Sequence, residues 1–257
     1  MFRTLNYAGA TPREISEVVN NAMNGKTNNT GLVTLAGSNA TTTTINDERI
    51  GYDSIILLTP ITINGGNNSV PFGSFQNTAS QTPAAANTAY TVTLNTTDVA
   101  DGVYLSANKI YFRNAGTYNI QFSLQLANSN TQIEQFYIWM AKNGTNLAGT
   151  ASKFDVNSKH GSSDGYLIAV ANFFITVTTN DYIEVKFAST NTTVMIEAYA
   201  AQSTPFVMPS VPSSVVTVTL ASPVESPYIS SRSKGSAVIT HYANSLADKT
   251  YGYVIVG

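Results

Sequence analysis

The chain has 257 residues, a formal net charge of −2 from 13 basic and 15 acidic side chains, no cysteine and two histidines. Near-neutrality without a basic cluster leaves no electrostatic footprint for nucleic acid or an anionic membrane, and the missing cysteines exclude disulfides, thiol catalysis, iron–sulfur clusters and zinc ribbons. With 43% hydrophobic residues, 14 Tyr and 11 Phe, there is still ample material for one large core or two smaller ones.

The first predicted element is a helix. Thr11-Pro12-Arg13-Glu14 is a capping box with proline at the first helical position. Apolar residues follow at Ile15, Val18, Val19, Ala22 and Met23, one stripe over about three turns, and Asn24-Gly25 supplies the stop. The stripe packs either on its own chain or in a partner, as a docking peg ahead of the linker Lys26 to Gly31.

Beyond residue 30 the texture turns to short alternating runs of Thr, Val, Tyr and Ile broken by turn residues, the pattern of an all-β protein. Leu32–Leu35, Thr42–Ile45 and Ser54–Leu58 read as strands, the last nearly continuous in apolar character and expected to be buried on both faces. A Gly/Asn/Ser/Pro/Ala-rich passage, 64–87, reads as a linker. Strands are then expected at Tyr90–Leu94, Lys109–Phe112, Gly116–Leu126, Gln135–Ala141, Gly165–Ile175, Tyr182–Phe187 and Val194–Tyr199. Tyr118, Ile120, Phe122, Leu124 and Leu126 alternate with polar partners, so this region, 88–204, reads as a two-sheet antiparallel sandwich. A Pro-rich return, 205–212, leads to a strand at Val215–Leu220. Ser236–Tyr242 and Tyr251–Gly257 read as a terminal hairpin that completes the sheet begun before residue 64. The expectation is a helix and linker (1–30) and a split β base (31–63 with 213–257) into which the sandwich is inserted.

Few residues offer chemistry. His241 lies in a strand beside Tyr242 and reads as structural. His160 sits with Ser and Asp in the loop 157–165, but clustering in sequence is no triad, because those partners meet from distant positions on rigid elements. Asp98 and Asp101 could ligate calcium; with no further acid nearby, a solvated turn is favoured. No catalytic residue, cofactor or metal is assigned. Tyr137 and Trp139 share the strand face opposite Phe136, Ile138 and Met140 and are read as a subunit contact. The loop from Lys153 to Gly165, with Lys153, Asp155, Lys159, His160 and Asp164, is the candidate for touching another surface. Outward positions rich in Thr, Asn, Gln and Ser permit close packing of copies, and strand edges without lysine are protected by closure or assembly.

Two sets of residues carry a resemblance. Ile110 to Phe122, the strand ending Lys142-Asn143-Gly144, and Asn180 to Val185 resemble the C1q/TNF-like jelly roll over residues 88 to 202. Arg13 to Asn21 with Gly25 to Gly31, Thr44 to Pro60, and Gly235 to Tyr253 resemble small structural proteins of tailed bacteriophages. The first resemblance implies a homotrimer; the second implies a virion component whose helix docks to capsid, neck or tail proteins. Together they give a mainly β, non-enzymatic virion fibre, decoration or appendage, made in the host cytoplasm without a signal peptide and free of nucleic-acid binding or membrane insertion. Its loop contacts a host glycan or receptor. The alternatives are a tail module that binds or cleaves glycans, and a bacterial adhesin.

Overall fold

The computed structural model describes residues 9–24, 28–66, 70–222, 226–244 and 246–257. In chain order its first elements are α1 (Pro12–Met23), β1 (Thr30–Thr34), β2 (Ala40–Asn46), β3 (Ile55–Pro60) and α2 (Ile63–Gly66). Next come β4 (Phe72–Asn77), β5 (Tyr90–Thr91), β6 (Thr96–Asp101), β7 (Val103–Ser106), β8 (Lys109–Phe112) and β9 (Gly116–Asn128). They are followed by β10 (Glu134–Lys142), β11 (Thr145–Asn146), β12 (Ser152–Val156), β13 (Gly165–Val177) and β14 (Tyr182–Ser189). The last are β15 (Val194–Ile196), β16 (Ser214–Leu220), β17 (Tyr228–Ser233), β18 (Ser236–Asn244) and β19 (Thr250–Val256). The chain divides into two compact units, Met1–Asn68 with Glu225–Gly257, and Ser69–Val224.

The second unit is an antiparallel jelly roll. One sheet runs β13-β9-β16-β4-β6, with β15 also on β9; the other runs β11-β10-β14-β8-β7, with β12 on β10 and β5 on β14. The two sheets hold six and seven strands, all paired antiparallel, with β9 and β16 central to one and β10 and β14 central to the other, the two-layer arrangement of a jelly roll. Strand β9 is its spine: Tyr118, Ile120, Phe122, Leu124 and Leu126 are buried, while the residues between them face outward. Phe136 stacks on Phe187 at 5.3 Å, Phe112 packs against Tyr118 at 4.6 Å, and the buried Tyr118 hydroxyl donates to the Asn114 carbonyl at 3.0 Å. Gly165 opens β13 because a Cβ there would lie 1.9 Å from the Asn157 carbonyl oxygen.

The first unit holds two three-stranded antiparallel sheets, β1-β19-β3 and β17-β18-β2. Ile56, Tyr251, Tyr253 and Ile255 from the first, with Leu35 just beyond β1, form one core with Ile45 and Ile239 from the second. The Tyr253 ring occupies the space a Cβ on Gly31 would need, 2.3 Å away, so close approach of ring to backbone requires glycine there. The Tyr253 hydroxyl donates to Asp47 Oδ2 at 2.8 Å, and the same carboxylate holds Arg49 through Nε at 2.8 Å and Nη2 at 2.5 Å. Arg49 Nη2 also donates to the Thr30 carbonyl at 3.1 Å, tying the 47–49 turn to β1.

Several expectations are corrected. Within the segment read as a linker, 64–87, Phe72–Asn77 is strand β4, paired with β16 and β6. Val215–Leu220 belongs to the sandwich rather than the base, because Val216, Val218 and Leu220 complete its core and β16 fills the place between β9 and β4. The Pro-rich return carries bridges from Tyr199 to Val211 and Gln202 to Met208, so it doubles back on the sandwich. The terminal segments are no hairpin: β18 pairs with β17 and β2, β19 with β1 and β3, and residues between them cross from one sheet to the other. Strand β3 is buried on one face only: Ile56 faces the core, while among the described residues nothing covers Ile55 and Leu57, each 57% exposed. Asp98 and Asp101 lie in strand β6, not in a turn.

Candidate interaction surfaces

Helix α1 forms as its sequence dictates. Thr11 Oγ1 accepts from the Glu14 amide at 3.3 Å while Glu14 Oε2 accepts from the Thr11 amide at 2.8 Å, closing the capping box, and Asn24 caps the far end. No residue of this helix is buried. The stripe of Ile15, Val18, Val19, Ala22 and Met23 is therefore not packed into the core of its own chain, and Met23 is 82% exposed.

A second apolar surface comes from β13, the 13-residue edge strand of its sheet. Its register with β9 pairs Ile168 with Gln125, Val170 with Ser123 and Phe174 with Asn119, all on the outward parity. Tyr166, Ile168, Val170 and Phe174 are each more than half exposed along that edge. A long edge strand carrying large apolar side chains on its outer face is a surface that soluble chains cover by association. Sequence reasoning does not single out these four residues; the available signal is that 165–175 is apolar at both parities, more than a one-faced strand requires.

The residues expected at a subunit contact lie on the outer face of the other sheet. Tyr137 and Trp139 are half-buried while Phe136, Ile138 and Met140 fill the core. Their polar tips are engaged within the chain, Trp139 Nε1 donating to Asn146 Oδ1 at 2.8 Å and the Tyr137 hydroxyl to Gln135 Oε1 at 2.7 Å. Farther across this face, Tyr104 stacks on Tyr111 at 5.1 Å and Tyr111 meets Tyr182 at 5.3 Å. Arg113 and Lys109 cover the two ends of that row, so these two cations lie against rings.

The expected contact loop is only partly a loop. Lys153 and Asp155 lie in β12, opposite Tyr137 and Gln135 of β10. His160 and Ser163 bond to each other through both backbone groups around a tight turn with Gly161 at φ +63, and Lys159 Nζ approaches Asp164 Oδ1 at 3.7 Å. Lys159, His160 and Asp164 thus gather at one end of the sandwich, apart from Lys153 and Asp155. Tyr166 lies there too, edge-on to Tyr199 at 6.2 Å, and the Tyr199 hydroxyl donates to Glu197 Oε2 at 2.7 Å. Burial, followed by this bond to a carboxylate, pushes the Tyr199 hydroxyl pKa well up, with the Asp164 charge adding to it.

The histidines and acids considered for chemistry are placed as follows. His241 is buried; its Nδ1 donates to the Tyr242 carbonyl at 2.7 Å, and its Nε2 shares a hydrogen bond with the Thr43 hydroxyl at 2.9 Å. Asp98 accepts from Ser74 Oγ at 3.0 Å and Gln76 Nε2 at 2.7 Å across the β4–β6 pair. Among the described residues no group of three or more His, Cys, Asp or Glu is placed to hold a metal ion, and no helix is long and apolar enough to cross a membrane. No protein-family model matches the chain, and no curated protein matches it.

Proposed function

We propose that this protein is a non-enzymatic structural component of a bacteriophage virion: a homotrimeric surface fibre, decoration or appendage in which α1 is a docking arm and the jelly roll projects. The observation that carries the reading is the apolar outer stripe of β13, Tyr166, Ile168, Val170 and Phe174, along an edge strand. Such a stripe favours permanent association between copies, and the neighbouring outward positions of β9, Asn119, Gln121, Ser123 and Gln125, carry no charge to oppose close packing. The exposed stripe on α1 supplies a further docking surface of the kind an assembling protein needs. The assignment to a virion rests on the resemblance of the flanking segments to phage structural proteins. Labelling this chain in purified phage particles tests it: antibody decoration at regular surface positions is expected, and absence of the chain from particles rejects it. Deleting residues 1 to 27 is expected to abolish incorporation with the β-fold intact.

A second reading, a glycan-binding module, is favoured by one feature. The half-exposed Tyr166 ring beside Tyr199 and the Glu197 carboxylate offers a sugar both an aromatic edge or face and a hydroxyl acceptor. A glycan array with wild-type protein and Tyr166→Ala tests this: binding lost in the variant supports it, and no binding by the wild type rejects it.

A further inference from the structure

The two sheets of the base unit differ in what they show outward. On β17-β18-β2 the outward side chains are mostly hydroxyl and amide groups, Thr42, Thr44, Asn46, Ser236 and Thr240, with Val238 and Tyr228 the apolar members. On β1-β19-β3 the outward positions divide between Thr30, Thr34, Thr59, Thr250 and Gly252 on the one hand and apolar residues on the other, of which Leu32, Ile55, Leu57 and Val256 are each between about half and 70% exposed. Ile61 adds to this face: its Cδ1 sits 3.2 Å from where a Cβ on Gly252 would lie, so its side chain covers the glycine in the central strand. A three-stranded sheet with one face in a core and an exposed apolar patch on the other has room for a further layer.

Such a layer has the dimensions of one helix. The outer strands of a three-stranded sheet are about 10 Å apart and strands of five to seven residues run about 17–23 Å, while a 12-residue helix is about 18 Å long and about 10 Å wide. Helix α1 has that length, and its stripe of Ile15, Val18, Val19, Ala22 and Met23 lacks a buried position. It precedes β1, an edge strand of this very sheet, and Asn29 is pinned there by two bonds to Ile255, at 2.8 and 3.0 Å. Every copy of the chain therefore carries both halves of a complementary pair. In the single chain the two halves are not joined, although the link of five residues between Asn24 and Thr30 is long enough for a helix to fold back onto its own sheet.

We infer that α1 of one copy docks on the outer face of the β1-β19-β3 sheet of a second copy, an exchange of arms between chains. The inference rests on the self-assembly reading above and narrows the arm's partner to another copy of this chain rather than a different virion protein. Ten apolar side chains meeting in this way bury roughly 1,000 Å² per contact, the lower bound of a specific interface, and a head-to-tail exchange closing at three repeats it threefold. Charge does not oppose the contact: the five residues of each surface are all uncharged.

The absence of cysteine makes a clean test possible. Full-length Val19→Cys and Leu57→Cys chains, both altered at exposed positions, are co-assembled and oxidised with oxidised glutathione. A disulfide joining the two chains, forming at least fivefold faster than between Val19→Cys and Thr44→Cys on the polar sheet, supports the exchange. In the double variant Val19→Cys/Leu57→Cys, a bond closing only within each chain overturns it, because the arm then serves its own sheet. A multimer by sedimentation that gives no Val19–Leu57 bond also overturns it and leaves self-assembly standing; a monomer by sedimentation rejects the self-assembly reading itself. As an independent arm, Leu57→Asp is expected to weaken association at least tenfold with an unchanged far-ultraviolet spectrum, and unchanged association overturns the inference.

Discussion

Replacing Asp47 with asparagine removes the charge at the centre of the polar cluster formed with Arg49 and Tyr253. The carboxylate accepts from Arg49 Nε at 2.8 Å, Arg49 Nη2 at 2.5 Å, the Arg49 amide at 3.0 Å and the Tyr253 hydroxyl at 2.8 Å. Its side chain is 9% exposed and that of Arg49 is 35% exposed. Hydrogen bonding to the Arg49 side chain is the chief reason the carboxyl titrates well below the usual range, against the opposing effect of burial. An asparagine retains one oxygen for Nε and the amide but turns an NH₂ group toward Nη2, and the Tyr253 hydroxyl must rotate to accept. A lost charge-assisted bond is worth about 1.5–3 kcal/mol, and the part-exposed Arg49 places the loss at about 2 kcal/mol. Because the folded-state pKa is depressed, this contribution is full above the unfolded carboxylate pKa of about 3.9 and is lost as the pH falls from there toward the folded value. The gap between wild type and D47N should therefore be largest at neutral pH and shrink in acid. Hydrogen exchange of the β19 amides reads this unit, while Trp139, the single tryptophan, reads the sandwich by fluorescence. Equal protection of β19 in both proteins at pH 7, or a gap that widens in acid, refutes the reasoning.

Three further outcomes are expected. Gly165→Ala drives a methyl group into the Asn157 carbonyl, so the sandwich should lose about 3 kcal/mol or more by urea unfolding followed at Trp139; a loss under 1 kcal/mol contradicts the geometry. The pair Ile168→Lys and Phe174→Lys, at positions more than half exposed, should leave the circular dichroism unchanged and reduce self-association at least tenfold by analytical ultracentrifugation. Calcium or EDTA should shift the melting temperature by less than about 1 °C, because the Asp98 carboxylate is already held by Ser74 and Gln76; a rise of several degrees with calcium shows a bound ion.

The parts of the fold legible in the sequence are those where local pattern and tertiary role agree. The capping box of α1 and the alternation of β9 each encode one element and the side it buries. Strand β4 is illegible because its inward residues are Gly73, Phe75 and Asn77, only one of them a large apolar residue. The glycine is required there, since a Cβ would lie 2.7 Å from the Phe75 ring and from Val103. Strand β17, with Ser231, Arg232 and Ser233 exposed, has almost no inward face to reveal it. The crossing of residues between β18 and β19 is invisible to short-range patterning, because a polar turn between two apolar strands reads as a hairpin whether or not the strands pair. For the surfaces, the sequence shows the helix stripe directly. It misleads at β3, where nearly continuous apolar character signals burial on both faces and the single chain supplies only one.

The central claim is that these uncovered apolar faces are covered by other copies of the same chain. Sedimentation equilibrium of the full-length protein at micromolar concentration tests it most directly. A species of three times the chain mass, dissociated by the Ile168→Lys and Phe174→Lys pair, is predicted; a folded monomer at the same concentration contradicts the account.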